Sequence, residues 1–208
     1  MDMTFHPSEE FIADKLRLAY RPGSIASIDG NARQYDGTGF RCAAVLIPLA
    51  WWQDEWQLVL TRRTDTVEHH KGQVSFPGGG CEVNENSAEI TAVREAGEEI
   101  GFKAGDIRIL GRMNDMLTIT HYRIAPVVGV VPWPYPVRLE PAEVARVFTI
   151  PLLWLANPQN WEEKIFMRDE VMTPVPVITY KKYDEETLWG ISAQITVSFL
   201  GVLGLIDK

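Results

Sequence analysis

The order of elements in the first half of the chain restricts the fold more than any other feature of the sequence. Two runs rich in aliphatic residues, Cys42–Leu49 and Trp56–Arg62, are separated by the polar turn Gln53–Glu55 and predict a pair of β-strands. A glycine-rich loop then leads to a predicted helix over Ser87–Ile100, with Gly101 in the position that commonly ends a helix. Strands interleaved with helices predict a mixed α/β domain.

The rest of the chain continues this alternation. Ser8 is predicted to cap a helix that runs to about Tyr20, and residues 23–39 are predicted to form a loop. A last helix is predicted from Thr187 towards Leu203. The further predicted strands are Ile107–Met116, Ile124–Val131, Val144–Ile150, Glu163–Arg168 and Val175–Tyr180. A chain of 208 residues suits one domain, here predicted over residues 41–208, with residues 1–40 as an appended helix and loop.

The charge balance excludes some classes of partner. The chain carries 20 Lys and Arg against 28 Asp and Glu, a net charge of −8, which disfavours general binding to nucleic acid or to anionic membranes. The apolar segments are shorter than the ~20 residues of a membrane-spanning helix, and the N-terminus does not resemble a secretory signal. We therefore predict a cytoplasmic protein. Cys42 and Cys81 could form one disulfide, but this location favours reduced thiols.

Three carboxylates are predicted on one face of the helix at Ser87–Ile100. At about 100° per residue, Glu98 and Glu99 lie within about 60° of Glu95 around the helix axis. Like charges at these spacings each destabilise a helix by about 0.2–0.5 kcal/mol, and Arg94 offsets only part of this. A solvent-exposed acidic face is one explanation, because charge runs usually lie at surfaces. A bound Mg²⁺ is the other, since Mg²⁺ prefers carboxylate oxygens.

The spacing of these residues resembles the sequence box of the Nudix hydrolases. That box reads Gly, five residues, Glu, seven residues, Arg-Glu, an apolar residue, any residue, Glu-Glu, any residue, Gly and an apolar residue. The residues in register are Gly80, Arg94, Glu95, Ala96, Glu98, Glu99, Gly101 and Phe102. Asn86 stands at the place of the upstream Glu, with Glu85 one residue earlier. Counting from Glu85 brings Gly79 into register and implies one inserted residue before the helix.

The resemblance implies a Nudix fold, an α/β/α sandwich around a mixed β-sheet, and a pyrophosphohydrolase dependent on Mg²⁺ or Mn²⁺. Such an enzyme cleaves a nucleoside diphosphate linked to another group, by attack of water on the diphosphate. Arg94 would orient the carboxylates, and Glu95 would accept the proton of the water. Glu143, which precedes a predicted strand, is a second candidate base; a surface residue without a role is the alternative for it.

A second segment, residues 59–79, is similar to the motif of Nudix coenzyme A pyrophosphatases. The matching residues are Thr61, Arg63, His70, Gly72, Gln73, Val74 and Phe76. This similarity implies CoA or acyl-CoA as substrate, with 3′,5′-ADP and (acyl-)phosphopantetheine as products. Glu68 stands where that subfamily usually carries a basic residue. The neighbouring cations would supply the missing charge or form an ordinary exposed loop; they are Arg62, Arg63, His69, His70 and Lys71.

Together the two resemblances imply a set of site residues. The catalytic set is Arg94, Glu95, Glu98, Glu99 and Glu143; the metal ligands are Glu95, Glu98, Glu99 and Gly79; the substrate-binding set is Arg63, His70, Gln73, Gly78, Gly79 and Gly80.

Other functions remain open from the sequence. A Nudix hydrolase of ADP-ribose, NADH or dinucleoside polyphosphates is the first alternative. A Nudix-fold module that binds a nucleotide without cleaving it is the second, and Asn86 keeps it open. A regulatory protein with an acidic helix and no metal is the third. The apolar, proline-rich residues 130–137 predict either a homodimer interface or an internal loop.

Overall fold

A computed structural model describes residues 6–26, 39–65, 71–118, 120–168 and 171–207. The helices in these ranges are α1 (Glu9–Ala19), α2 (Ala88–Ile100), α3 (Leu152–Ala156) and α4 (Gly190–Leu203), with short 3₁₀ turns at Ala104–Asp106 and Pro158–Asn160. The strands are β1 (Ile25–Ala26), β2 (Arg41–Trp52), β3 (Glu55–Arg63), β4 (Val74–Ser75), β5 (Gly78–Gly80), β6 (Arg108–Arg112), β7 (Asp115–Leu117), β8 (Tyr122–Val130), β9 (Val144–Pro151), β10 (Trp161–Arg168) and β11 (Val171–Tyr180).

A mixed sheet lies at the centre of the structure. Its main path runs β1-β7-β8-β2-β3-β4, while β5 pairs with β2, β6 with β8 and β9 with β3. The long strands β2 and β8 are parallel, and β2 and β3 are antiparallel. Strands β10 and β11 form a separate antiparallel pair. The predicted mixed sheet is therefore confirmed.

Helices cover both faces of this sheet. On one face, α2 buries Ala92, Ala96 and Ile100 against residues of β2 such as Ala44 and Leu46. On the other face, α1 and α4 share a second core that contains Ile12 and Leu16 of α1 and Phe199 and Leu200 of α4. Successive side chains of β2 point to opposite faces of the sheet, so β2 contributes residues to both cores. The α/β/α sandwich is confirmed. The division of the chain at residue 40 stays a prediction, although α1 contributes to the same core as α4.

The predicted helices form with the expected caps. The Ser8 hydroxyl accepts a hydrogen bond from the N–H of Phe11 at 3.1 Å, and the Ser87 hydroxyl accepts one from Ile90 at 3.4 Å. Gly101 ends α2 in the left-handed conformation, with φ at 78°. Helix α4 begins three residues later than predicted, because Leu188 and Trp189 are extended and pair with the end of β11.

Two strand predictions need correction. The predicted strand Ile107–Met116 is two strands, β6 and β7. Between them, Met113 still donates its N–H to the Pro126 carbonyl oxygen of β8 at 2.9 Å, and the Asn114 side chain accepts a hydrogen bond from the N–H of Arg21 at 2.8 Å. The predicted glycine-rich loop contains the strand β5, because its backbone pairs with β2 despite the low strand propensity of glycine. Within the predicted loop 23–39, residues 27–38 lie outside the described residues.

The prediction of reduced thiols is wrong: Cys42 and Cys81 form a disulfide, with their Cα atoms 5.4 Å apart. The physical reason is the pairing of β5 with β2. Gly80 lies opposite Ala43 in that antiparallel pair, so Cys81, which follows β5, lies opposite Cys42 and donates its N–H to the Cys42 carbonyl oxygen at 3.1 Å. This pairing joins residues 39 positions apart in the sequence, which local sequence patterns do not show. The predicted cytoplasmic location stays a prediction.

We expect reduction of this disulfide to lower the free energy of unfolding by about 3–4 kcal/mol, because it closes a loop of this length in the unfolded chain. Urea denaturation with and without dithiothreitol measures the effect. A Cys42→Ser/Cys81→Ser double variant is the control, and its unfolding midpoint should not respond to dithiothreitol. An unchanged midpoint for the reduced wild-type protein would contradict this role of the disulfide.

The remaining predictions about surfaces have mixed outcomes. Within the described ranges, no helix is long and apolar enough to cross a membrane. Trp133, Tyr135 and Val137 pack against the core beneath α2, as expected for the internal-loop alternative of residues 130–137. The homodimer stays a prediction.

Candidate functional site

The site is built where β5 passes beneath α2. Strand β5 pairs with the central strand β2, with Gly79 opposite Ala44, and α2 crosses above it. The Glu95 carboxylate lies so close to Gly79 that a Cβ atom there would be 2.5 Å from Glu95 Oε1. Any side chain at Gly79 would displace this carboxylate. The glycine therefore allows the carboxylate and the peptide backbone to share one small space.

Arg94 connects the carboxylates of α2 to this strand. Its Nη1 donates to Glu95 Oε1 at 2.8 Å and to Glu98 Oε2 at 2.9 Å. Its Nη2 donates to the Gly80 carbonyl oxygen at 2.9 Å. The side chain of Arg94 is mostly buried, with 22% of it exposed. One guanidinium thus contacts two of the predicted ligands and the glycine strand, and its role in orienting metal ligands stays a prediction.

Glu85 holds Arg94 from the other side. Its carboxylate accepts hydrogen bonds from Arg94 Nε and from the Thr91 hydroxyl, both at 2.7 Å, and from the N–H of Glu82 at 2.8 Å. The Arg94 guanidinium, with these two donors, lowers the pKa of Glu85 to about 2. Asn86, which occupies the box position, is exposed. The structure therefore pairs Glu85 with Arg94 and leaves Asn86 exposed to solvent.

We expect Glu85→Ala to lower kcat by about 10- to 100-fold, the range typical of residues that orient metal ligands. Without Glu85, Arg94 loses its fixed position between β5 and α2. Steady-state kinetics at saturating substrate measure the effect, with urea denaturation to verify folding. Asn86→Ala is the matched control, and its kcat should stay within about twofold of the wild type. The reverse ranking of the two variants would contradict this assignment.

Glu99 is the buried member of the carboxylate set. Only 5% of the residue is exposed, and the backbone N–H of Gly78 hydrogen-bonds to its carboxylate. Burial raises the pKa of Glu99 to about 8; Arg63 opposes this shift, while the charges of Glu143 and Glu95 add to it. Burial also raises the pKa of Glu95, against the lowering effect of Arg94. Burial therefore disfavours the charged form of both carboxylates, most strongly that of Glu99.

Arg63 and Glu143 approach the carboxylates from the opposite side. Arg63, the last residue of β3, places Nη1 3.9 Å from Glu99 Oε1 and Nη2 3.9 Å from Glu143 Oε2. The N–H of Thr64 donates to the Glu143 carbonyl oxygen at 2.9 Å, which joins the end of β3 to the turn before β9. The Arg63 Nε atom is buried without a hydrogen-bond partner in the described structure. Glu143 therefore faces α2, although half of its side chain is exposed.

The other predicted substrate-binding residues have different positions. The Gln73 carbonyl oxygen accepts a hydrogen bond from the N–H of Arg63 at 2.9 Å, so Gln73 lies beside the site. Arg62 points away from it and pairs with Asp65 and Glu186. Glu68, His69 and His70 lie outside the described residues.

The residues fit a divalent cation by their chemistry. Glu95, Glu98 and Glu99 of α2 supply hard oxygen donors, the kind of ligand that Mg²⁺ and Mn²⁺ prefer. In the present arrangement Arg94 holds Glu95 and Glu98, and no three His, Cys, Asp or Glu side chains in the described ranges converge as metal ligands. Metal binding would therefore compete with Arg94 for these carboxylates.

Sequence reasoning missed two parts of this region. Thr91 is buried on the first turns of α2 and donates a hydrogen bond to Glu85. It lies about one helical turn before Arg94, and this spacing could have indicated its role. A cluster of Arg112, Asp115 and Arg123 lies on the neighbouring strands β6, β7 and β8. Only the strand pairing brings these three residues together.

The sequence of this chain is similar to those of known proteins. The model of the NUDIX domain family matches residues 41–173. The chain is 35% identical over 155 residues to the uncharacterized Nudix hydrolase NudL of Yersinia pestis (strain Pestoides F), an alignment that covers 74% of this chain and 76% of the relative. The same figures hold for NudL of Yersinia pseudotuberculosis (serotype O:1b, strain IP 31758). Among solved structures, the Nudix hydrolase RenU of M. smegmatis is 20% identical with a TM-score of 0.48, covering 56% of this chain and 74% of that one.

Proposed function

Because this chain belongs to the Nudix family of hydrolases, which act on nucleoside diphosphate derivatives, we propose that it cleaves the diphosphate of coenzyme A or an acyl-CoA with the help of a divalent metal ion. The observation that carries the metal-dependent chemistry is the set of carboxylates around Gly79. Glu95 lies against Gly79, the N–H of Gly78 hydrogen-bonds to the Glu99 carboxylate, and Arg94 holds Glu95 and Glu98 together. A site of this kind attracts a cation and, through it, a diphosphate.

The choice of CoA rests on the motif in residues 59–79. Val74 and Phe76 of that motif are buried in the core, and Gly72 has a φ of 64°, so these residues shape the segment. Arg63 faces the carboxylates and the Gln73 carbonyl oxygen accepts its N–H, which supports the proposal that both residues contact the substrate. The motif therefore combines positions that build the turn with positions at the site.

Each residue has a distinct role in the proposed reaction. Glu95, Glu98 and Glu99, with the Gly79 carbonyl, would hold Mg²⁺ or Mn²⁺, and Arg94 would orient these ligands. The bound ion supplies neutralisation of the diphosphate charge and a lower pKa for the attacking water. Either Glu95 or Glu143 accepts the proton of that water. Arg63 contacts the diphosphate, and the products are 3′,5′-ADP and (acyl-)phosphopantetheine.

A substrate panel tests the proposal. CoA, ADP-ribose, NADH and diadenosine polyphosphates are each incubated with Mg²⁺, with Mn²⁺ or with EDTA, and the products are identified by mass spectrometry. We expect the highest kcat/KM for CoA and no turnover in EDTA. Turnover of ADP-ribose without turnover of CoA would instead support the first alternative substrate class.

The same samples address the non-catalytic alternatives. Stoichiometric binding of a nucleotide in calorimetry, with no product after long incubation, would support a binding module. A metal ion that binds only the folded protein raises its melting temperature by mass action. A melting temperature that does not respond to Mg²⁺ or Mn²⁺ would therefore contradict the metal site.

A further inference from the structure

Two arginines share one buried carboxylate on the strands beside the site. Arg112 Nη2 donates to Asp115 Oδ1 and Arg123 Nε donates to Asp115 Oδ2, each at 2.6 Å. The Asp115 side chain is 10% exposed, Arg112 is 21% exposed, and Arg123 is 41% exposed. The Arg112 guanidinium also lies over the Tyr20 ring, 5.1 Å from its centroid. Asp115 and Arg112 are therefore fixed in the structure, and Arg123 extends from them towards solvent.

The charge of this cluster is unusual for the protein. In every other ion-pair group of the described ranges, acids equal or outnumber their basic partners: Arg94 faces three acids, and Arg63 faces two. The pairs around Arg62 and Arg146 join two arginines to three acids. The group of Arg112, Asp115 and Arg123 has two cations and one acid. It is thus a locally positive position in a chain whose net charge is −8.

The cluster lies on the same face of the sheet as the carboxylates. Ala125 of β8 is paired with Ala44 of β2, and both pack beneath α2. Arg123 precedes Ala125 by two residues and so points to this same face. Ala44 is in turn paired with Gly79, beside the Glu95 carboxylate. With strands about 4.8 Å apart and about 3.3 Å per residue, the Cα atoms of Gly79 and Arg123 are separated by about 12 Å.

The chemistry of this group suits a phosphate. Asp115 engages Nε of Arg123 and fixes the plane of the guanidinium, while its terminal Nη atoms have no hydrogen-bond partner that the described residues supply. A guanidinium with its terminal N–H groups available binds phosphate oxygens in pairs. Arg62, the alternative cation near the motif, is instead held by Asp65 and Glu186.

We propose that Arg123, oriented by Asp115, binds a phosphate monoester on the part of the substrate that is remote from the cleaved diphosphate. This assignment rests on the proposed function, because the position matters only if a diphosphate binds at the carboxylates of α2. It makes Arg123 a specificity-determining residue: it separates substrates that carry a second, distant phosphate from those that lack one.

A binding experiment tests the assignment without catalysis. Isothermal titration calorimetry with Mg²⁺ present compares adenosine 3′,5′-bisphosphate with AMP, neither of which contains a diphosphate to be cleaved. We expect the wild-type protein to bind the bisphosphate at least about tenfold more tightly, the effect of one charge-assisted contact. Arg123→Ala should remove this preference. Arg123→Lys, which retains the charge without the paired N–H groups, should retain part of it.

The control and the contrary results are distinct. Arg17→Ala removes one exposed arginine from α1, with 73% of its side chain exposed, and should leave the preference unchanged. An equal affinity of the wild type for both ligands, or an unchanged preference in Arg123→Ala, would overturn the assignment. If the preference exists and disappears in Arg123→Ala while CoA is not cleaved, the phosphate site stands and the proposed function fails.

Discussion

We expect the Glu99→Gln variant to lose about 10²–10³-fold in kcat while it folds as the wild type does. The loss follows from replacing one oxygen ligand proposed for the metal ion by the NH₂ group of Gln, and removal of one fixed electrostatic contact at a reaction centre has an effect of about this size. Folding should survive because Gln has the same shape, and because burial and the neighbouring carboxylates already disfavour the charged form of Glu99. Steady-state kinetics on CoA at saturating substrate, with thermal unfolding on the same samples, measure both quantities.

Glu89→Gln is the matched control for this prediction. Glu89 lies on the first turn of the same helix and is less buried than Glu99, so the same chemical change is made outside the carboxylate set. Its kcat should equal that of the wild type within about twofold. A Glu98→Gln variant should also lose activity, because Glu98 is the second carboxylate that Arg94 orients. Near-normal turnover in both Glu98→Gln and Glu99→Gln would exclude the proposed metal ligands.

The second large effect is on stability. We expect Gly78→Ala to lower the free energy of unfolding by about 3 kcal/mol, as severe overpacking does. A Cβ atom on Gly78 would lie 2.4 Å from the Ala44 carbonyl oxygen and 2.7 Å from the Val45 Cα. Both atoms belong to the backbone of the central strand β2, which cannot move away without breaking the sheet. Urea denaturation under non-reducing conditions measures the change.

Gly80→Ala provides the comparison, two residues further along β5. The nearest atom to a Cβ on Gly80 is the Cys42 carbonyl oxygen at 4.0 Å, so the methyl group has room. We expect a change within about 0.5 kcal/mol for this variant, as for most exposed substitutions. Equal free energies of unfolding for the two variants would show that close packing of β5 against β2 is not what requires glycine at position 78.

The sequence predicted the helix that carries the candidate carboxylates. A helix of fixed period places Glu95, Glu98 and Glu99 on one face whatever surrounds them, and Ser87 and Gly101 mark the two ends of α2 through local hydrogen bonds and backbone conformation. These features depend on residues within a few positions of each other. Local rules are therefore enough to find them.

Local rules do not decide whether Glu85 or Asn86 fills the upstream acidic position of the sequence box. Counting positions left both alignments open, because an inserted residue in a loop changes the register without changing the helix. The structure distinguishes them through hydrogen bonds: Glu85 meets Arg94, Thr91 and the backbone of Glu82, while Asn86 is exposed. The direction in which a loop residue points depends on the path of the loop, and spacing alone does not specify that path.

The sequence by itself determined the α/β character of this protein, its capped helices and the acidic face of α2, since all of these follow from local periodicity and backbone preference. Only the tertiary structure decided which distant segments meet. The pairing of β5 with β2 joins Cys42 to Cys81 and brings Gly79 to Glu95, and the pairing of β7 with β8 joins Asp115 to Arg123. These contacts depend on strand register across long loops, which is set by burial of both sheet faces at once rather than by any single stretch of sequence.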